Sequence, residues 1–261
     1  MFILIKRYGN HSNRLFQAIH LEAYCLEKSE RFINLDFSDM ASYYFDNYFK
    51  RLNHKILIRL ILKFCKKNII ELVIDSQNEN KMNISNFKAH LIKLVTGWGF
   101  FSHELTEKYR DYFISKYKLK DKFYKKNELY LWILSNKTKY VIVGLHIRRG
   151  DYQFFNEGKY YYSDSEYMLV VNCVEEIIKN TGSQCFFIVF SDSDVTFNSE
   201  NIIVSKNEWY IDHVLMSNCS YLLGPPSTFT SWASYIGRVP LYHISNVQTK
   251  FDLSDFIVIN G

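Results

Sequence analysis

The chain has 261 residues, 48% of them hydrophobic and 17% aromatic, with a formal charge of +5. That length and composition exclude a disordered or fibrous chain and leave room for one large domain or two of roughly 100–150 residues. The mild positive charge suits an anionic small molecule or a membrane surface, but it falls short of the basic stripe of a nucleic-acid binder, so no nucleic-acid partner is expected.

Five scattered cysteines without a C-x-x-C pair read as free thiols of a reducing compartment rather than a disulfide frame or a zinc site. The N-terminal "MFILIKRYGN" lacks the basic start and long apolar core of a signal peptide, and no window is apolar enough for a membrane span. A cytoplasmic protein is therefore expected.

In chain order, "FILIKR" (2–7) predicts a strand, "NRLFQAIHLEAYCLEKS" (13–29) a helix and "RFINLDF" (31–37) a second strand, a β-α-β opening. From 40 to 135 the pattern is mostly helical, broken by "IIELVID" from residue 69 and "TGWGFF" (96–101). Within it, Arg51, Lys55, Arg59, Lys63 and Lys67 form an i,i+4 row opposite Leu52, Ile56, Leu60 and Phe64. Such a helix over 50–67 can lie on the inner face of an anionic bilayer, or pack as a solvated helix on its own core.

The second half alternates short apolar strands with helices: "YVIVGLHI" (140–147), "CFFIVFS" (185–191), "NIIVS" (201–205), "YLLG" (221–224) and "VPLYHI" (239–244). A capping box, Ser163 with Glu166, marks a helix over 163–180. Continuously apolar strands separated by helices imply parallel sheets covered on both faces. The expected class is thus α/β, with one unit over 1–130 and another over 131–261.

Ligands of such sheets bind beyond the C-terminal strand ends, and the chemistry of this sequence collects there. After "YVIVGL" come His146, Arg148 and Arg149, then Gly150 and Asp151. Two guanidiniums at a strand end either clamp a pyrophosphate through bidentate, charge-assisted bonds or hold the loop through an Arg–Asp network. The embedded RGD follows a buried strand directly, which argues against an adhesive loop tip. After "CFFIVF" comes "SDSD" (191–194). Asp192 and Asp194 there are a D-x-D metal pair, or Asp192 alone accepts from the edge of guanine, or the stretch is an ordinary cap. After "YLLG", "PPSTFTSWASYIG" (225–237) opens a helix whose first N–H groups and hydroxyls form an anion site. Asn13 lies in the polar loop "YGNHSNRLFQ" (8–17), at the end of the first strand.

Taken together, these blocks resemble the α-1,2-fucosyltransferases of glycosyltransferase family 11, and more loosely the α-1,6- and protein O-fucosyltransferases. The family pattern G-x-G-N-Q-M-F-Q is similar to "HSNRLFQ", where Asn13, Phe16 and Gln17 match while Ser12 and Arg14 depart. H-x-R-R-G-D-Y matches "HIRRGDY" throughout, F-S-D-D resembles "FSDS" (190–193), and D-x-x-L-M-S-x-C matches "DHVLMSNC" (212–219). N-S-T-F-S-W-W is similar to "PSTFTSWA" (226–233), and "GWGFF" (97–101) to a degraded G-Y-x-Q.

The resemblance implies a GT-B architecture, two Rossmann-like α/β units facing across a cleft, with 1–130 on the acceptor side and 131–261 binding GDP-β-L-fucose. It implies inverting transfer of fucose to a glycan hydroxyl, the 2-OH of a galactoside in an oligosaccharide or lipid-linked glycan, without a metal or other cofactor. Carried over by motif, Arg148 binds the β-phosphate with Arg149 alongside or holding the loop, and His146 lies against the nucleoside. Asp192 takes the guanine edge, and Ser227, Thr228 and Phe229 line the phosphate and fucose, with Asn13 at the cleft. Asp151, His11 and His103 are candidates for the general base. A metal-dependent D-x-D transferase and a non-catalytic glycan- or membrane-binding protein on the same fold are the competing readings.

Overall fold

The computed structural model describes residues 1–6, 8–37, 39–46, 60, 63, 69–72, 92–97, 99–197, 199–248 and 250–261. The basic row expected over 50–67 lies outside the described residues, apart from Leu60 and Lys63. Among the described residues no helix is long and apolar enough to cross a membrane. The described cysteines, Cys25, Cys173, Cys185 and Cys219, carry free thiols.

Contacts divide the chain into two units, Met1–Lys120 with Asn260–Gly261, and Asp121–Ile259. The division falls ahead of residue 130 for a packing reason. Ile133 is fully buried in the core of the second unit, and Phe123 sets its ring edge against Tyr210 there at 5.5 Å.

The first unit holds β1 (Phe2–Leu4), α1 (His11–Glu27), β2 (Phe32–Asn34), α2 (Ala41–Tyr44), β3 (Ile69–Leu72), β4 (Lys93–Gly97), α3 (His103–Lys108) and α4 (Arg110–Lys116). Its four strands are all parallel, in the order β2-β1-β4-β3. Successive residues of β1 point to opposite faces, and both faces are buried. Phe2 and Leu4 join Leu21 and Cys25 of α1, while Ile3 joins Ile5, Leu35 and Leu94. Because α1 is buried on most sides, its polar residues need partners. Arg14, 4% exposed, donates to Asp36 (Nε–Oδ2 3.1 Å) and to both carboxylate oxygens of Asp39. Glu22 accepts from Tyr112, Lys116 and Tyr117 of and beyond α4.

The second unit holds α5 (Asp121–Tyr124), α6 (Glu128–Asn136), β5 (Val141–Ile147), α7 (Asp164–Asn180), β6 (Cys185–Ser191), β7 (Ile202–Val204), α8 (Trp209–Met216), β8 (Tyr221–Gly224), α9 (Thr228–Gly237) and β9 (Leu241–His243). Its parallel sheet has the order β7-β6-β5-β8-β9, with β5 at the centre. Val143, Leu145 and Ile147 face α7, where Tyr167, Val170, Val171, Val174 and Ile178 meet them. Ile142 faces the other layer, with Ile133 of α6, Leu215 and Met216 of α8 and Ala233 of α9. Each such fully buried aliphatic side chain contributes about 1.5–3 kcal/mol over an exposed one. α7 begins with the expected capping box between Ser163 and Glu166. Gly144 faces the α8/α9 layer at a close approach, since a Cβ there would lie 2.6 Å from Leu222 Cδ2.

Candidate active site

β5 and β6 run in register to their ends, Ile147 opposite Ser191, so the loops that follow them emerge side by side. The turn of one is held by the acid of the other. Asp192 accepts the backbone N–H of Arg149 on Oδ1 at 2.8 Å and that of Gly150 on Oδ2 at 3.2 Å. A Cβ on Gly150 would come within 3.1 Å of the same Oδ2, so the carboxylate fills the space that glycine leaves. Asp194 is exposed, and among the described residues no cluster of three or more His, Cys, Asp or Glu side chains could hold a metal ion.

The two arginines go separate ways. Arg149 is directed inward: its Nε donates to the Tyr162 carbonyl at 3.1 Å, its Nη2 to Asp164, and its guanidinium lies 5.9 Å from the Tyr167 ring centre. Burial raises the Asp164 carboxyl, yet the Arg149 hydrogen bond and the Thr196 N–H hold it below the usual range. Arg148 meets the exposed Asp151 at 2.7–2.8 Å, and Asp192 Oδ2 at 3.4 Å. Its guanidinium sits 5.8 Å from the centre of the Tyr152 ring, and the Tyr152 hydroxyl donates to the Pro226 carbonyl. Tyr152 thereby touches both Arg148 and the residue ahead of the α9 cap.

The start of α9 is capped and lined with hydroxyls. Ser227 caps α9 by accepting the Phe229 N–H at 3.2 Å, and its carbonyl accepts the Thr230 and Ser231 hydroxyls. The Thr228 hydroxyl, at the first helical position, has no hydrogen-bond partner among the described residues. Unpaired N–H groups and the helix dipole favour negative charge at this end.

His146 points from β5 to the same layer as α9 and stacks on Phe229, with ring centres 5.3 Å apart. Burial, then the Arg148 and His243 charges, push its pKa down to about 3, so the ring is neutral at physiological pH. Its Nδ1 is buried without a partner. Phe229 also meets His213, with ring centres 4.1 Å apart, and His213 in turn meets Trp209. His243, at the end of β9, lies 3.5 Å from Thr230 Oγ1 and is lowered by burial to about 4. Asp212 of α8 is buried, accepts from Ser205 at 2.6 Å and is raised to about 7. His213, His243 and Asp212 were not singled out by strand-end reasoning. The adjacent Asp and His within the apolar "WYIDHVLM" were the signal.

Asn13, His11 and His103 belong to the first unit. Asn13 of α1 packs its side chain on Gly9, which takes φ +64° and has no room for a Cβ. His11 is lowered by burial and then by the Arg14 charge. His103 stacks on Phe101 at 5.9 Å and points Nδ1 to the Gly261 carbonyl.

The class is thereby defined: an α/β protein whose parallel strands lead into a cation and a capped helix start. The profile of glycosyl transferase family 11 matches residues 51–250, and the chain belongs to that family. No curated protein sequence matches it. Among solved structures, the NodZ α-1,6-fucosyltransferase from Bradyrhizobium, soaked with GDP-fucose, is 14% identical with a TM-score of 0.54. That match covers 98% of this chain and 96% of the other. The Arabidopsis thaliana FUT1 R284K mutant in complex with GDP is 12% identical with a TM-score of 0.56, over 95% and 72%. The fold is thus mixed α/β with parallel sheets, GT-B-like in its two sheet-bearing units.

Proposed function

We propose that the chain is an inverting glycosyltransferase that moves L-fucose from GDP-β-L-fucose to a glycan hydroxyl, the 2-OH of a galactoside. The observation that carries this is the joining of Arg148 to the start of α9 through Tyr152 and Pro226, a cation and a helix end serving one anion. The family match and the likeness to fucosyltransferase folds support the donor class.

In the reaction, the acceptor oxygen attacks the anomeric carbon while the bond to the β-phosphate breaks. The phosphate keeps the electron pair, the acceptor proton leaves to solvent or a base, and GDP departs. Arg148, the N–H groups of α9 and the Ser227 and Thr228 hydroxyls stabilise the charge that grows on the phosphate. Arg149 fixes the loop, and Asp151 holds Arg148 in place. Asp192 keeps lone pairs beyond those its loop uses and offers them to the guanine edge, while His146 and Phe229 lie against nucleoside and sugar. No metal takes part in this reading.

The test is incubation with GDP-fucose and a panel of galactosides, with linkage analysis of the products and calorimetry with GDP. A fucosylated galactoside is expected. Absence of GDP binding, or full transfer by an Arg148→Ala variant, sinks the reading.

A further inference from the structure

Between Asp151 and α7 the chain leaves large rings in water. Phe154 is 81% exposed, Phe155 52% and Tyr161 45%. Aromatic side chains of this size are normally the ones a fold buries, and a contiguous group left outside marks an interaction site. The backbone beneath them is held in an uncommon form, with Asn156, Glu157 and Gly158 at φ 49°, 58° and 75°.

The rings are ordered. Phe155 stacks on Tyr152 at 5.1 Å and 28°, and on Tyr160 at 6.3 Å and 30°. Tyr152 is the inner rung: 8% exposed, under the Arg148 guanidinium, and bonded to the Pro226 carbonyl. A run of stacked rings, Tyr152, Phe155 and Tyr160, therefore begins beneath Arg148, with Phe155 half in solvent.

We propose that this loop, residues 152–161, is the acceptor platform, its exposed ring faces stacking on the C–H faces of the sugar rings of a neutral oligosaccharide. The inference rests on the function proposed above, since it supplies the second substrate of that site. Sugar C–H bonds carry partial positive charge and the face of an aromatic ring is negative, so the two surfaces attract while the sugar hydroxyls stay wet. The formal charges of 151–161 are Asp151, Glu157 and Lys159, two negative and one positive, which sum to −1. An anionic bilayer would call for a basic rim instead. Continuity with Arg148 sets the distance over which the bound sugar must reach.

The experiment uses the full chain, neutral galactosides with lactose as the first probe, and a Phe154→Ser/Phe155→Ser double variant. Saturation-transfer NMR reads saccharide binding without nucleotide, and calorimetry reads GDP. The double variant is expected to weaken saccharide binding and raise the acceptor KM about tenfold, the size of one or two lost ring contacts. GDP affinity and the slow hydrolysis of donor by water stay unchanged, and Phe155→Trp binds as the parent does. Should the double variant melt early, Phe154→Ser alone carries the test, because that ring adds little to the core. Unaltered saccharide binding, or no saccharide binding by the parent chain, overturns the platform. Saccharide binding by a parent chain that shows no GDP binding in calorimetry leaves the platform standing and removes the donor reading instead.

Discussion

The Asp192 carboxylate accepts the Arg149 backbone N–H at 2.8 Å, so the loop that ends β6 holds the loop that ends β5. The turn that presents Arg148 is in this sense made by two strand ends together, and removing the acid should loosen it before it touches any ligand. Asp192→Ala leaves the Arg149 and Gly150 N–H groups to water. A loss of about 1–2 kcal/mol in denaturant unfolding is expected, with roughly half of it recovered in Asp192→Asn, which keeps one acceptor. GDP affinity measured on the same variants should fall in the same order.

The two adjacent arginines should separate by assay. Arg148 meets partly exposed carboxylates and the Tyr152 ring, whereas Arg149 is tied to Tyr162, Asp164 and Tyr167. Arg148→Ala is expected to lower kcat about 10²–10³-fold, the usual cost of one lost group at a developing charge. Its unfolding free energy should stay within about 0.5 kcal/mol of the parent. Arg149→Ala is expected to cost about 1–3 kcal/mol of stability, because it strands Asp164 and a carbonyl. Equal stability losses in the two variants would contradict this division.

Gly224 marks the closest backbone approach around His146. A Cβ there would lie 2.6 Å from the His146 carbonyl oxygen and 2.9 Å from its Cβ, both on the central strand. Backbone cannot step aside as a flexible side chain would. Gly224→Ala should therefore destabilise the second unit by about 1–3 kcal/mol and shift the His146–Phe229 stack. A denaturant midpoint equal to that of the parent would show that β8 and β5 can part at this point.

The strands of the second sheet were readable because their residues say one thing. "CFFIVFS" and "YLLG" are apolar on both faces, and β6 and β8 occupy those residues. β1 stops at Leu4 although "FILIKR" continues the pattern: its pairing ends there, opposite Asn34 of β2 and Val95 of β4. β4 was hidden by Lys93, a residue that argues for the surface and is instead buried in a 2.7 Å pair with Glu30. The site was legible where chemistry follows a strand directly, as at Arg148 and Ser227. It was not legible at His213 or His243, which reach Phe229 and Thr230 only through the packing of α8 and β9 against α9. Nor did spacing reveal that Arg149 would turn inward, a matter settled by Tyr162 and Asp164, which lie past the loop.

Buried histidines give the fold an acid edge. His146 and His20 are lowered to about 3 and His243 to about 4, all chiefly by burial. Each is neutral in the folded chain, while the unfolded chain takes up a proton below about 6.5. Their stabilising contribution is full above that pH and is lost as the pH falls from 6.5 toward 4, at up to about 1.4 kcal/mol per unit for each group. Urea unfolding between pH 7.5 and 5 should show the decline, and His146→Gln should make it shallower.

Asp212 works in the opposite sense. Burial raises its carboxyl to about 7 against the pull of the Ser205 hydrogen bond, and the Glu208 charge adds to the rise. The folded chain therefore holds this proton up to about pH 7, whereas the unfolded chain releases it near 4. Stability from this group is full below 4 and falls as the pH rises through 7, where a charged carboxylate must sit inside α8. Asp212→Asn keeps an acceptor for the Ser205 hydroxyl and never ionises. The variant should match the parent in unfolding free energy below about pH 4 and exceed it by more than about 1 kcal/mol at pH 8. A variant less stable than the parent at pH 8 would mean that the ionised carboxylate, with its hydrogen bond from Ser205, is what holds α8 to the end of β7.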